Sequence, residues 1–264
     1  MILIIAEIGV NHGGSVETAL QLVDAAKSAG ADAVKFQMFD SRRLWGDDRI
    51  KHLELTESEL RLAADYAATK GIEFLCTPFG VPEVEFLAPL VKRMKVASGC
   101  LNRPALLNAV RDTGLPIIMS TGMSTIEEVN AALGHLGYDY PARYLRDITL
   151  LHCTSAYPCH PADAQLRAME VLRHHHGHRC GIGYSDHTEG INVAIAAAAL
   201  GASVIEKHFT FDRRAEGPDH KASIEPPEFK RMVEAIREVE SALGTWQKRV
   251  MPAEAELRRA WGRA

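Results

Sequence analysis

Eight short runs rich in apolar and β-branched residues each close on side chains that do chemistry. Ile2–Val10 carries Glu7 and leads into Asn11 and His12, Asp32–Phe39 carries Lys35 and Gln37, Ile72–Gly80 carries Thr77, and Arg93–Gly99 carries Lys95 and Ser98. Pro116–Gly122 carries Ser120 and Thr121, and Ile148–Ser155 carries His152, Thr154 and Ser155. Gly181–Thr188 closes on Ser185, Asp186 and His187, and Ser203–Thr210 carries Glu206, Lys207 and His208. Lysines beside hydroxyl donors suit a polyanion bearing phosphate and carboxylate oxygens. Two histidines ending neighbouring runs suit an open metal site, completed by water and substrate oxygens, with Mn2+ expected first and Mg2+ second. Unpaired Lys or Glu is costly to bury. A supply of both signs at the same end of every run therefore points to a site.

The runs fix what must position these groups. Between them lie segments with one apolar stripe at helical spacing: Val16–Gly30, Thr56–Gly71, a shorter Val81–Leu90, Pro104–Gly114, Ser124–Gly137, Ala162–His176, Asn192–Gly201 and Pro226–Gly244. Many end in glycine, which suits a helix C-cap. The near-continuous apolar runs read as parallel strands covered on both faces. Eight strands alternating with eight helices favour an α/β fold of the (β/α)8 TIM barrel type over an open doubly wound sheet, with residues 1–264 as one catalytic barrel. In such barrels the site lies at the C-terminal ends of the strands, where these polar groups fall. No GxGxxG follows the first run, which weakens a dinucleotide-binding reading. The charged tail Met251–Ala264 is expected to be helical, and to lie on the barrel exterior or fray.

Bulk properties narrow the class. The chain has 264 residues, 47% hydrophobic and 24% charged, as in a soluble protein with a full core. A net charge of −4 gives no basic face for nucleic acid. Cys76, Cys100, Cys153, Cys159 and Cys180 match no disulfide or zinc spacing and read as reduced thiols, which implies the cytoplasm. The apolar start, MILIIAEIGVNHGG, is short, lacks a basic leader and meets Glu7 early, so neither a signal peptide nor a membrane span is expected. The HHHGH run at His174–His178 falls at a predicted helix end, away from the rim, and reads as a solvated terminus.

The segments AEIGVNHGG, AVKFQ, CTPFG, KVASG, MSTGM, LLHCTSAYP, GYSDHT and EKHFT…GPDHKAS, in that order, resemble the signature segments of sialic acid synthases and their relatives that make legionaminic, pseudaminic and other nonulosonic acids. The resemblance runs from about Ile2 to Gly244, and GYSDHT followed by EKHFT and GPDH is its most specific part. It implies condensation of phosphoenolpyruvate with the aldehyde of an N-acetylmannosamine-like hexosamine, releasing phosphate. It further implies that Lys35 and Lys95 grip phosphoenolpyruvate with Thr77, Ser98, Ser120 and Ser185, and that His187 and His208 bind the divalent metal. Glu7, Gln37, Tyr157 and Asp219 match positions near the sugar. A homodimer is implied as well.

Three positions depart from that pattern. Cys100 stands where the family usually has Glu or Asp, and Ser155 stands where it usually has Asn. The family normally continues into a small antifreeze-protein-like domain, for which this sequence has no counterpart. Cys100 is expected to leave the sugar pocket less polar. Two other readings remain at this point. One is a Schiff-base pyruvate aldolase using Lys95 or Lys35. The other is a non-catalytic sugar-acid binding homologue.

Overall fold

The computed structural model describes residues 1–138, 147–245 and 247–262. Eight parallel strands run through them: β1 (Leu3–Gly9), β2 (Ala33–Met38), β3 (Glu73–Pro78), β4 (Met94–Val96), β5 (Ile117–Ser120), β6 (Ile148–His152), β7 (Cys180–Asp186) and β8 (Val204–His208). They form one sheet in the order β3-β2-β1-β8-β7-β6-β5-β4, so the first and last strands pair directly. That pairing, with helices between successive strands, is the expected (β/α)8 barrel. One seam remains: β3 and β4 approach each other, but the hydrogen-bonded ladder ends at each of them.

Alternation along each strand builds two cores. In β1 the outward Ile4, Ala6 and Ile8 join the large apolar layer between barrel and helices. The inward Ile5 packs with Ala33, Leu75, Ile118, Leu151 and Val204 inside the barrel. Residues two further along are Glu7, Lys35, Thr77, Ser120, Cys153 and Glu206. The period of two thus lays a polar layer over an apolar plug.

The helices are α1 (Val16–Ser28), α2 (Ser41–Trp45), α3 (Glu57–Thr69), α4 (Val81–Leu87), α5 (Pro104–Asp112), α6 (Ile126–His135), α7 (Ala168–His176), α8 (Asn192–Ala199), α9 (Pro226–Leu243) and α10 (Ala255–Ala260). Local chemistry starts several of them. Capping boxes, Thr56 with Glu59 and Thr125 with Glu128, open α3 and α6. Gly30 takes φ +88° just past α1, the left-handed position that a side chain resists.

The structure differs from the sequence expectations at four places. The helix expected over Ala162–His176 starts at Ala168, because Gln165 sits at φ +43° and breaks the first turns. The strand expected over Arg93–Gly99 shrinks to three residues, as Ser98–Cys100 winds into a 3-10 turn. The sequence reading had no counterpart of α2, whose five residues are too few to show periodicity; Asp40 caps it and Gly46 ends it. In the tail only α10 and a 3-10 turn at Pro252–Glu254 are helical, with Leu257 and Trp261 exposed. The last two tail residues lie outside the described ones. No helix among the described residues is long and apolar enough to cross a membrane.

Candidate active site

The polar layer opens into a cavity of about 480 Å3 at the C-terminal ends of the strands. Thirteen of the residues singled out from sequence line it: Glu7, Lys35, Gln37, Thr77, Lys95, Ser98, Ser120, Ser155, Tyr157, Ser185, His187, His208 and Asp219. Glu206, which the sequence reading placed at a strand end but not in the site, lines it too. Its spacing of two from His208 was the available signal. Trp45, Phe79, Met123 and Pro218 form an apolar part of the wall that sequence reading did not find.

Charge organises the floor. Lys35 Nζ lies 2.7 Å from Glu7 Oε2 and 3.7 Å from Glu206 Oε2, and donates to Thr77 Oγ1 at 3.1 Å. Lys95 Nζ donates to Ser120 Oγ at 2.6 Å and lies 3.9 Å from Glu206 Oε1. Ser185 Oγ donates to Glu206 Oε1 at 2.8 Å, and Gln37 donates to Glu7 Oε1 at 3.1 Å. Glu206 is therefore the shared counter-charge of both lysines. Burial favours its neutral form, but Lys35 and Lys95 outweigh burial and hold its carboxyl down at about 2. Burial raises Glu7 to about 7, against the pull of Lys35. Burial lowers Lys95; Lys35, also buried, is raised on balance by Glu206 and Glu7. One carboxylate is thus permanently charged and its neighbour is poised to move a proton near neutral pH.

A second part of the cavity is shaped by glycine. A methyl group on Gly122 would fall 2.5 Å from Ser155 Oγ, 2.9 Å from Ser98 Oγ and 3.0 Å from Cys153 Sγ. The bare backbone lets these three side chains approach closely. Besides Glu7 Oε2, which is ion-paired with Lys35, three buried polar atoms of the cavity have no hydrogen-bond partner among the described residues: Ser155 Oγ, Glu206 Oε2 and His208 Nδ1. Such groups are costly unless something else satisfies them.

The two histidines share this space. Their ring centroids are 5.5 Å apart, and Tyr157 packs 4.2 Å from the His187 ring. His187 Nδ1 lies 2.7 Å from the Thr154 carbonyl oxygen, so that nitrogen carries the proton and Nε2 keeps its lone pair. His208 Nδ1 is 3.8 Å from Asp219 Oδ2. Burial lowers His187 to about 4, with His208 adding to the effect, and burial followed by Lys35 lowers His208 to about 3. Both rings are neutral at pH 7, the form that binds metals. No group of three or more His, Cys, Asp or Glu poised around a common point occurs among the described residues. Two neutral imidazoles are thus the nitrogen donors that this cavity offers an ion.

Other polar residues at the strand ends are structural. Asn11 Nδ2 donates to the Phe209 carbonyl and to Ser223 Oγ, and His12 Nδ1 accepts from the Gly14 amide. Thr121 donates to the Leu151 carbonyl, His152 Nε2 donates to the Ala164 carbonyl, and Thr154 donates to the Asp163 carbonyl. Cys100 lies outside the cavity wall, fully buried in the outer apolar core, where desolvation raises its thiol. The expectation that it makes the sugar pocket less polar is corrected on that ground. His176 of the histidine run is buried and His174 and His175 are exposed, and the run precedes the N-terminal end of β7, whereas the cavity lies at its C-terminal end.

These environments have a consequence for acid stability. Burial lowers His12 to about 4, as it does His187, while His208 falls to about 3. Between pH 6.5 and 4.5 the unfolded chain protonates these three rings and the folded one does not. In the same window folded Glu7 holds a proton that the unfolded chain has lost. The net of two protons favours unfolding, so these four groups should lower stability by about 3 kcal/mol per pH unit on acidification. Denaturant titrations at pH 6.5 and 5.0 check this; a flat profile would contradict the burial of the rings.

A (β/α)8 barrel whose strand ends gather a two-lysine floor, a shared glutamate and two neutral histidines in one cavity has the layout of an enzyme that holds a small polyanion. The NeuB family model matches residues 22–248, and the chain belongs to the NeuB family. It is 40% identical to the N,N'-diacetyllegionaminic acid synthase of Legionella pneumophila, over 96% of this chain and 76% of that protein. It is 34% identical to the N-acetylneuraminate-9-phosphate synthase of Mus musculus, over 99% of this chain and 76% of that protein. Among solved structures it resembles the N-acetylneuraminic acid synthetase of Leptospira borgpetersenii in complex with citrate, with a TM-score of 0.90 and 34% identity, covering 100% of this chain and 93% of that one.

Proposed function

We propose that this protein condenses phosphoenolpyruvate with the aldehyde of an N-acetylmannosamine-like hexosamine, giving a nonulosonic acid and phosphate. The observation that carries this is the pair Lys35 and Lys95, both buried and both facing Glu206, at the floor of a cavity whose wall also bears hydroxyl donors. Phosphoenolpyruvate brings about three negative charges near neutral pH, and charge-assisted contacts from two lysines match them. Ser98 and Ser155, whose hydroxyls crowd close to Gly122, offer donors for its oxygens.

The balance of the reaction is simple. C3 of phosphoenolpyruvate bonds to the aldehyde carbon, water adds at C2, and phosphate departs to leave the keto acid. The aldehyde oxygen must gain a proton. Glu7, raised to about 7, is the group that delivers it, and Lys35 then faces the carboxylate that forms. Asp219 and Gln37, also in the cavity wall, can accept from and donate to sugar hydroxyls. A divalent ion, Mn2+ first and Mg2+ second, held by His187 and His208, would supply polarisation of the aldehyde and orientation of water.

The test is phosphate release from phosphoenolpyruvate over a panel of hexosamine aldehydes, with Mn2+ and with excess chelator. Release that depends on both the aldehyde and the ion is expected. No release with any aldehyde would overturn the proposal in favour of a binding homologue. Chelator-insensitive turnover of pyruvate instead would favour a Schiff-base aldolase, which the lowered Lys95 would suit. The proposal includes a homodimer, supported by the family; light scattering is expected to give twice the chain mass of 29.0 kDa, and a monomer at high concentration refutes it. It also includes a cytoplasmic location, supported by five buried cysteines in the thiol form.

A further inference from the structure

Two fully buried charges stand directly beside the two histidines and do not face the cavity. Lys207 Nζ lies 2.8 Å from Asp186 Oδ2, and both side chains are 0% exposed. Asp186 precedes His187, and Lys207 precedes His208. Because side chains alternate along a strand, the pair sits on the outer face of β7 and β8 while the histidines sit on the inner face.

The connections go beyond one ion pair. Asp186 Oδ1 accepts from the Thr188 amide at 2.9 Å and from Thr188 Oγ1 at 2.8 Å. That closes a turn with His187 at its centre. Lys207 Nζ also donates to the Thr188 carbonyl. The recorded β7–β8 ladder runs Tyr184 with Ile205, Ser185 with Glu206 and Asp186 with Lys207, and stops there. His187 lies one residue past the last rung. From that rung onward the link from β7 to β8 is made by the Asp186–Lys207–Thr188 side-chain and carbonyl contacts.

A buried ion pair is a poor way to gain stability. Well-packed apolar replacements are often as stable or more so, whereas removing one partner costs about 3–5 kcal/mol. Packing alone would be served by two aliphatic side chains here. The geometry offers a different use: the two charges sit on the residues next to the two rings, and both hold Thr188, the residue that follows His187.

We propose that Asp186, Lys207 and Thr188 form a clamp that sets the separation and ring orientation of His187 and His208, making them positioning residues for the metal. The inference rests on reading those histidines as ligands. A partner shell of this kind typically changes metal affinity by about 10- to 100-fold when lost.

The test uses the double variant Asp186→Asn with Lys207→Met, which removes both charges together and avoids leaving one buried alone. Thr188→Val, which removes one hydroxyl donor and keeps the amide, is the milder companion. Manganese titration followed by electron paramagnetic resonance is expected to show binding weakened about 10- to 100-fold in the double variant and less in Thr188→Val. Thermal unfolding confirms that both remain folded. Nitrogen-15 spectra of the imidazoles in metal-free protein report the clamp without the ion. In the wild type His187 is expected to be protonated at Nδ1 alone; in the double variant the two tautomers should mix. Folded variants with unchanged imidazole spectra overturn the clamp. If the double variant fails to fold, spectra of Thr188→Val identical to wild type overturn it equally. A wild-type protein that binds no Mn2+, yet shows the spectral change on substitution, defeats the ligand reading and leaves the clamp standing.

Discussion

Replacing Lys35 or Lys95 with alanine should each weaken phosphoenolpyruvate about 10- to 150-fold while acceptor binding changes little. The basis is the loss of one charge-assisted contact to a trianion, worth about 1.5–3 kcal/mol. The two variants should differ in stability. Lys35 is the near partner of Glu7 at 2.7 Å, so its loss leaves a buried carboxylate beside Glu206 without a near cation. Lys95 is held mainly by Ser120 and lies 3.9 Å from Glu206, so Lys95→Ala should fold better. Calorimetry with phosphoenolpyruvate, beside a melting curve for each variant, separates the two effects. Unchanged affinity in both variants would contradict the assignment of the floor.

Glu7→Gln is expected to be the most damaging conservative change. Loss of a positioned proton donor typically costs about 10²–10⁴ in rate. The amide keeps the shape and leaves Lys35 paired with Glu206, so KM for phosphoenolpyruvate should move less than about threefold. The pH profile gives the sharper readout. With its carboxyl raised to about 7, Glu7 is protonated below that pH and can donate. Wild-type turnover should therefore fall as pH rises through about 7, and the variant should lose that break. A variant that keeps both rate and profile would assign the proton to another group.

Much of this was legible in sequence for a physical reason. Strands covered on both faces are nearly all apolar, so a lysine or glutamate within one is conspicuous, and Lys35, Lys95 and Glu7 were found that way. The histidine pair was visible because each ends its run. Glu206 was harder. It lies in the triplet Glu206-Lys207-His208, and only the pleat assigns Glu206 and His208 to the cavity and Lys207 to the outer face. Cys100 misled for the opposite reason. Its place after Ser98 suggested a shared face, but the 3-10 turn at Ser98–Cys100 carries the thiol into the outer core. The apolar wall of Trp45, Phe79 and Met123 comes from loops and a five-residue helix, where no period marks a direction.

The unladdered seam between β3 and β4 gives the barrel a joint. Lys35, anchored to Thr77 of β3, stands on one side of that joint, and Lys95 on β4 stands on the other. Glu206, from across the lumen, reaches toward both. Across the joint itself Arg93, just before β4, pairs with Glu73 of β3 at 2.7 Å. An anion held by both lysines would therefore bridge the two sides of the gap in the ladder.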